Sequence, residues 1–273
     1  MRAVRSRNLL GTAIAVTDYE QAMDEMERMI ARPVPGYVCA VPVHSLMVAR
    51  HDAGMRSALN GAAMNLPDGR PLVWALNLLG ERLRDRVYGP DLMERFCARA
   101  ARRGHRVWLY GGATAQALDD LVTALERRHP GLVVAGCWSP PHRALTAAEE
   151  QEVAERIDAD APDVVWVGLG VPKQELWMAR MRPRLQAPVL VGVGAAFDFL
   201  SGRKRQAPGW MQARGLEWLF RLSQEPARLL PRYLRYNPAF VIAFARQYVR
   251  ERRQASRTGR TSRSSRRRSS SRE

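Results

Sequence analysis

Apolar residues along this chain follow two rhythms. Short runs of β-branched and aromatic residues, of strand length, alternate with stretches in which apolar positions return every three or four residues. Residues 163–175, DVVWVGLGVPKQE, contain both. Their V-V-W-V run has the composition of a strand buried on both faces of a parallel sheet. Gly168, Gly170 and Pro172 break that run, and Lys173, Gln174 and Glu175 open a helical pattern that reaches residue 181. The same reading predicts further strands over residues 8–16, 37–43, 62–66, 106–110, 132–135 and 189–193. Helical patterns cover residues 17–32, 44–59, 71–79, 91–102, 114–128 and 146–159. Thr17 with Glu20, and Thr146 with Glu149, have the spacing of reciprocal capping boxes.

Strands alternating with helices of this length imply parallel βαβ units in a layered α/β fold. The rhythm stops near residue 203. Beyond it Pro208, Pro226, Pro231 and Pro238 cut the sequence into short helices rich in Trp, Tyr, Phe, Leu and Arg. From residue 251 the chain is almost only Arg, Ser, Thr and Gly, too poor in apolar surface to order itself. The expected organisation is an α/β core over residues 1–202, a basic aromatic helical appendage over 203–250 and a disordered Arg/Ser-rich tail over 251–273.

Charge sharpens this division. The formal net charge is +16, yet residues 1–202 are nearly neutral. The excess is +8 over residues 203–250 and +7 over 251–273. The end of the chain is therefore expected to meet something anionic: phosphate, lipid headgroup or nucleic acid. Cys39, Cys97 and Cys137 are odd in number, far apart and form no CxxC pair, which suits a reducing compartment and argues against zinc. No signal peptide is read at the N-terminus, and no apolar run approaches the ~20 residues of a spanning helix.

Three strand ends carry glycine turns: Gly111-Gly112, Gly168-Leu169-Gly170 and Gly192-Val193-Gly194. Ligands of open parallel sheets bind beyond the carboxyl ends of the strands, so three such turns suggest a nucleotide or phosphate site. Neither GxG completes a dinucleotide fingerprint, because Lys173 and Phe197 occupy the third glycine position. That disfavours a nicotinamide oxidoreductase. Asp68 follows another strand, in a Pro-Asp-Gly turn, where it is either an Asx-turn residue or a proton acceptor. His44, after the second strand, reads alone as a hydrogen-bonded structural histidine. Asp158-Ala159-Asp160 spells a metal-binding DxD, but enters the sheet from the wrong end and is expected to be solvated. Arg214, Arg221, Arg228 and Arg235 recur every seven residues among aromatic and leucine side chains, a composition suited to a surface where acyl chains meet phosphates.

The blocks YVCAVPVHSLMVAR, NLPDGRPLVWALNLLG, RVYGPDLMERFC, VWLYGG, DVVWVGLGVPKQELWMA, PVLVGVGAAFDFLSG, QAPGWMQARGLEWLFRLSQEPARL and RYLRYNP occur in this order. Together they resemble the WecG/TagA/CpsF family of bacterial glycosyltransferases, over about residues 9–240 and not over the tail. The resemblance implies a Rossmann-like, mostly parallel sheet flanked by helices. It also implies an inverting, metal-independent, cofactor-free transfer of a sugar, typically of N-acetylmannosamine type, from a UDP-sugar to a saccharide on undecaprenyl diphosphate. The products of such enzymes are teichoic acid, enterobacterial common antigen or exopolysaccharide. The expected location is cytoplasmic, peripheral on the inner face of the plasma membrane.

Residue by residue, the resemblance makes Asp68 the general base and places Gln174 in the active site. Arg221 and Arg228 match appendage arginines that close over it, with Arg232 a looser match because Pro231 disturbs the spacing. His44, Gly111, Gly112, Gly170, Lys173 and Asp198 are the substrate-binding positions carried over. Where many relatives have asparagine two residues before this histidine, the chain has Pro42, which offers neither a side-chain amide nor an N–H. Expected partners are the UDP-sugar, the lipid-linked acceptor, an anionic membrane surface and a homo-oligomer that competes with activity. A nucleic-acid-binding protein is the alternative, disfavoured because the core is neutral and no recognition motif is present.

Overall fold

The computed structural model describes residues 4–32 and 34–269. The chain begins with a hairpin of β1 (Ser6–Leu9) and β2 (Thr12–Ala15), where a single strand over 8–16 was expected. The reversal falls at Leu10 and Gly11, with φ of 54° and 92°. Glycine reaches that region freely, but strand formers on both sides hid the turn. Helix α1 (Tyr19–Ala31) is capped by Asp18, which accepts from Gln21 N at 2.9 Å, and not by the expected Thr17–Glu20 box.

Six parallel strands form the main sheet: β3 (Gly36–Val41), β4 (Met64–Pro67), β5 (Arg106–Gly111), β6 (Val133–Trp138), β7 (Val164–Gly168) and β8 (Val189–Gly192), in the order β4-β3-β8-β7-β5-β6. The sheet is the Rossmann-like layer that the alternating pattern implies. One face packs α2 (Val43–His51), α3 (Ala53–Asn60), α4 (Arg70–Leu78), α7 (Ala147–Ala159) and α8 (Lys173–Met181). The other packs α1, α5 (Gly89–Arg103) and α6 (Ala115–Arg128). Along β5, Trp108 and Tyr110 enter the first core while Val107 and Leu109 enter the second, the period of two that puts apolar residues on both faces. Tyr110 stacks on Trp177 with centroids 4.0 Å apart, and Trp166 meets Phe96 edge-on at 5.8 Å across the opposite core. The Thr146–Glu149 capping box is formed on α7. Asp52, accepting from Met55 N at 2.7 Å, caps α3 and so splits the single helix expected over 44–59.

After β8 come α9 (Ala196–Leu200), α10 (Gly209–Ala213), α11 (Glu217–Gln224) and α12 (Pro226–Ser269). Two of the four prolines divide this region as expected, Pro208 capping α10 and Pro226 opening α12, but Pro231 and Pro238 lie inside α12. Tertiary packing offsets the hydrogen bonds they remove. Leu229, Phe240, Ala243 and Gln247 are buried on this helix. The Gln247 amide joins α12 to the hairpin, accepting from Leu10 N at 2.8 Å and donating to Asn8 O at 3.0 Å. Helix α12 crosses residue 250 without a break, and residues 270–273 of the Arg/Ser-rich tail lie outside the described residues.

Candidate active site

Four strand ends and the appendage enclose a cleft of about 630 Å³ at the carboxyl edge of the sheet. Its floor is built by β4 and β3. Asp68 follows β4 and continues the ladder by donating its N–H to Val41 O at 3.2 Å, which fixes its backbone. The loop before α5 joins the same edge, with Val87 N donating to Pro67 O at 3.0 Å. That loop carries Arg86 and Tyr88 to the cleft, the guanidinium 4.1 Å from the centre of the Tyr88 ring. Gly89 N donates to Asp68 Oδ1 at 2.9 Å. Protein surrounds the Asp68 carboxyl while the residue keeps an opening to the cleft. Burial therefore pushes its pKa up to about 7, although Arg86, the Gly89 N–H and Arg221 pull it down.

The β7–α8 turn supplies the next wall. Gln174, 1% exposed, accepts from Gly194 N at 2.9 Å and donates through Nε2 to Glu175 Oε1 at 3.2 Å. Its amide thus ties the ends of β7 and β8 together while lining the cleft. Glu175 is fully buried, and burial raises its pKa to about 7. Gly170 turns the chain here with φ of 75°.

The roof belongs to the appendage. Arg221 lies over the Phe199 ring at 5.5 Å, and Arg228 and Arg232 line the cleft beside it. Arg228 also pairs with Glu225. Burial, followed by the neighbouring Arg221 and Arg228 charges, lowers the pKa of Arg232 to about 10. His44 meets Tyr236 edge-on at 4.8 Å; burial, then Arg232, lowers its pKa to about 4, so the ring is neutral at neutral pH.

The structure brings together Asp68, Gln174, Arg221, Arg228, His44, Gly170 and Arg232. It leaves four other expected residues outside this cleft. Gly111 packs where β5 meets β7, its Cα so close to the Gly168 carbonyl that an added Cβ would lie 2.6 Å from that oxygen. Gly112 adjoins it, and its carbonyl accepts from Ser139 Oγ at 3.4 Å. Lys173 is exposed at the start of α8. Asp198, on α9, pairs with Lys204 at 2.8 Å, which also reaches Glu225 at 3.0 Å. Gly111 and Gly112 sit at the divergence of β5 and β7, whose following connections run to opposite sides of the sheet, the usual ligand crevice of such folds.

Sequence reasoning assigned nothing to Arg86, Glu217 or Tyr236, which also line the cleft. The signal for all three was their place inside the blocks RVYGPDLMERFC, QAPGWMQARGLEWLFRLSQEPARL and RYLRYNP. The DxD carboxylates are not simply solvated: Asp158 accepts from Gln186 N at 2.9 Å and Asp160 from the Trp108 indole at 2.8 Å. Among the described residues, no three His, Cys, Asp or Glu side chains converge as a metal site.

A carboxylate of raised proton affinity, a fixed amide and three arginines meet over the carboxyl edge of a parallel sheet, where ligands of such folds bind. Residues 7–254 match the glycosyl transferase WecG/TagA/CpsF family, and the chain belongs to it. It is 34% identical over 172 residues to the N-acetylglucosaminyldiphosphoundecaprenol N-acetyl-beta-D-mannosaminyltransferase of Bacillus spizizenii, covering 63% of this chain and 65% of that protein. It is 29% identical over 207 residues to the protein of the same name from Bacillus subtilis, covering 76% and 78% respectively.

Proposed function

We propose that this protein transfers an N-acetylmannosamine-type sugar from a UDP-sugar to N-acetylglucosaminyl diphosphoundecaprenol, with inversion and without a metal. The observation that carries the reading is Asp68, a carboxyl with pKa about 7 at the floor of a cleft roofed by arginines. The acceptor sugar hydroxyl attacks the anomeric carbon from the face opposite UDP. Asp68 takes the hydroxyl proton as the new C–O bond forms and the bond to the UDP oxygen breaks. Arg221, Arg228 and Arg232 neutralise the departing diphosphate, the task a divalent cation performs in other transferases. Gln174 holds the cleft wall through Gly194 and leaves its second amide hydrogen for the substrate.

Gly111 and Gly112 lie along the β5–β7 crevice, with Lys173 at the start of α8 and Asp198 on α9, and we assign that crevice to the nucleoside part of the donor. The lipid-linked acceptor approaches from the membrane side, along the appendage. No helix among the described residues is long and apolar enough to cross a membrane, so attachment is assigned to the surface of α11 and α12. The test is UDP release from a panel of UDP-sugars with a short-chain analogue of the lipid-linked acceptor, comparing wild type with Asp68→Asn. Acceptor-dependent release from one donor, lost in the variant, is expected. Equal rates in the two proteins would remove Asp68 from the mechanism.

A further inference from the structure

An ion pair whose two charges both act on Asp68 joins the core to the appendage. Arg86, on the loop before α5, pairs with Glu217 at the start of α11. Both side chains are nearly buried, 12% and 9% exposed, so this is no solvated surface pair. Gln212 of α10 adds a second acceptor, 3.5 Å from the same guanidinium. Asp68, meanwhile, has the Gly89 N–H as its hydrogen-bond donor, and Arg86 influences it only through charge.

We propose that Glu217 is a positioning residue: it holds the Arg86 guanidinium on the appendage side of the cleft, keeps that cation from pairing with Asp68, and so keeps the aspartate a proton acceptor. The inference rests on Asp68 being the base. An arginine paired directly with a carboxylate lowers its pKa by about 1–3 pH units and makes it a correspondingly weak base. Glu217 supplies the competing carboxylate. It belongs to the appendage, so the strength of the base depends on the appendage being docked.

The surrounding charges are consistent with this division. From the core, Arg86 and Tyr88 face Asp68, with Asp91 and Tyr19 behind them. From α11, Glu217 raises its proton affinity and Arg221 lowers it. Across the cleft α12 presents Arg228, Arg232 and Tyr233, and α2 presents His44. The tyrosines have raised pKa values and His44 is neutral; Asp91 interacts with Arg86 through charge while accepting from the Tyr19 hydroxyl, and Glu217 is the carboxylate paired with the guanidinium. The ordinary alternative is that the pair merely fastens α11 to the core.

The two roles separate in the pH dependence of kcat/KM, measured on the full-length protein with the donor and acceptor analogue that support turnover. Glu217→Gln and Glu217→Ala are expected to move the acid limb down by about 1–3 pH units. Adding Arg86→Gln to either is expected to return the limb towards its wild-type position, even if the rate stays low. A fastening role would lower amplitude through lost folded protein and leave the limb where it was. An unmoved limb in both single variants, or a limb that the double variant does not restore, overturns the proposal. Asp68→Asn is run beside them: if it keeps activity and the same acid limb, the assignment of the base has failed first.

Discussion

Gly89 N–H donates to Asp68 Oδ1 at 2.9 Å, tying the first residue of α5 to the carboxyl at the end of β4. The bond fixes one oxygen and leaves the other for the cleft. The approach is close: a Cβ at Gly89 would lie 3.2 Å from Val193 O. The Asp68 carboxyl is thus held between a strand end and a helix start.

Asp68→Asn is expected to lower kcat by about 10²–10⁴-fold, the usual contribution of a positioned proton acceptor. The asparagine oxygen can still accept from Gly89, so circular dichroism should show an unchanged fold. In the wild type only the ionised aspartate accepts a proton. With its pKa pushed to about 7 by burial, kcat/KM should fall as pH drops through 7.

The same group has an opposite effect on stability. Its folded pKa of about 7 lies above the model-peptide value of 3.8, so the folded state holds its proton more tightly than the unfolded state. That contribution is fully present below about pH 4 and is lost as pH rises through 7. Asp68→Asn, always neutral, should therefore raise Tm at pH 8 relative to wild type and change it little at pH 4. Thermal melts at the two pH values check the sign, and a lower Tm for the variant at pH 8 would contradict the burial argument.

Gln174→Ala should lose both stability and activity. It leaves the Gly194 N–H and Glu175 Oε1 without their amide partner, at a cost of about 1–3 kcal/mol for an unsatisfied buried group. It also frees the β8 turn that lines the cleft. Urea melts and turnover measured on the folded fraction separate the two losses: turnover per folded molecule should fall as well.

The parallel sheet was legible because its strands, the edge strand β6 apart, are buried runs that end in or beside Gly or Pro. Every sheet strand lies within a few residues of its expected span, as β7 does at Val164–Gly168. The hairpin at Leu10-Gly11 was not, since a single glycine between β-formers reads as a continuous strand. Nor was the continuity of α12, because local proline rules omit the burial of Phe240 and Gln247 that sustains the helix. In the site, Asp68 and Gln174 stand at strand ends where sequence points directly. Arg86 and Glu217 acquire meaning only as a pair separated by 131 residues, which no local pattern can show.

Gly111 separates packing from ligand binding. Its φ of 132° and the nearby Gly168 carbonyl leave no space for a side chain. Gly111→Ala should therefore cost about 1–3 kcal/mol in urea melts whatever the donor does there. Gly112→Ala has ordinary contacts around its added Cβ, with φ of 90° as the source of strain, so it should cost less. Nucleotide affinity measured on whichever variant stays folded then reports on the crevice itself.

The exposed side of the appendage makes the last case. Leu230, Leu234 and Val241 lie at helical spacing on α12, 45%, 67% and 63% exposed, and Trp218 and Leu219 of α11 are also exposed. Such a stripe beside Arg228 suits a layer where acyl chains begin and phosphates end. Leu230→Ser with Leu234→Ser should weaken binding to vesicles of anionic phospholipid by on the order of tenfold or more, each leucine otherwise gaining ~1.5–3 kcal/mol on full burial. Binding should also weaken with salt, because each Arg near the anionic surface contributes ~1 kcal/mol before screening. Turnover on a water-soluble acceptor should be unchanged, since neither leucine lines the cleft. Equal vesicle binding by the variant and the wild type would remove this stripe as a membrane-binding face.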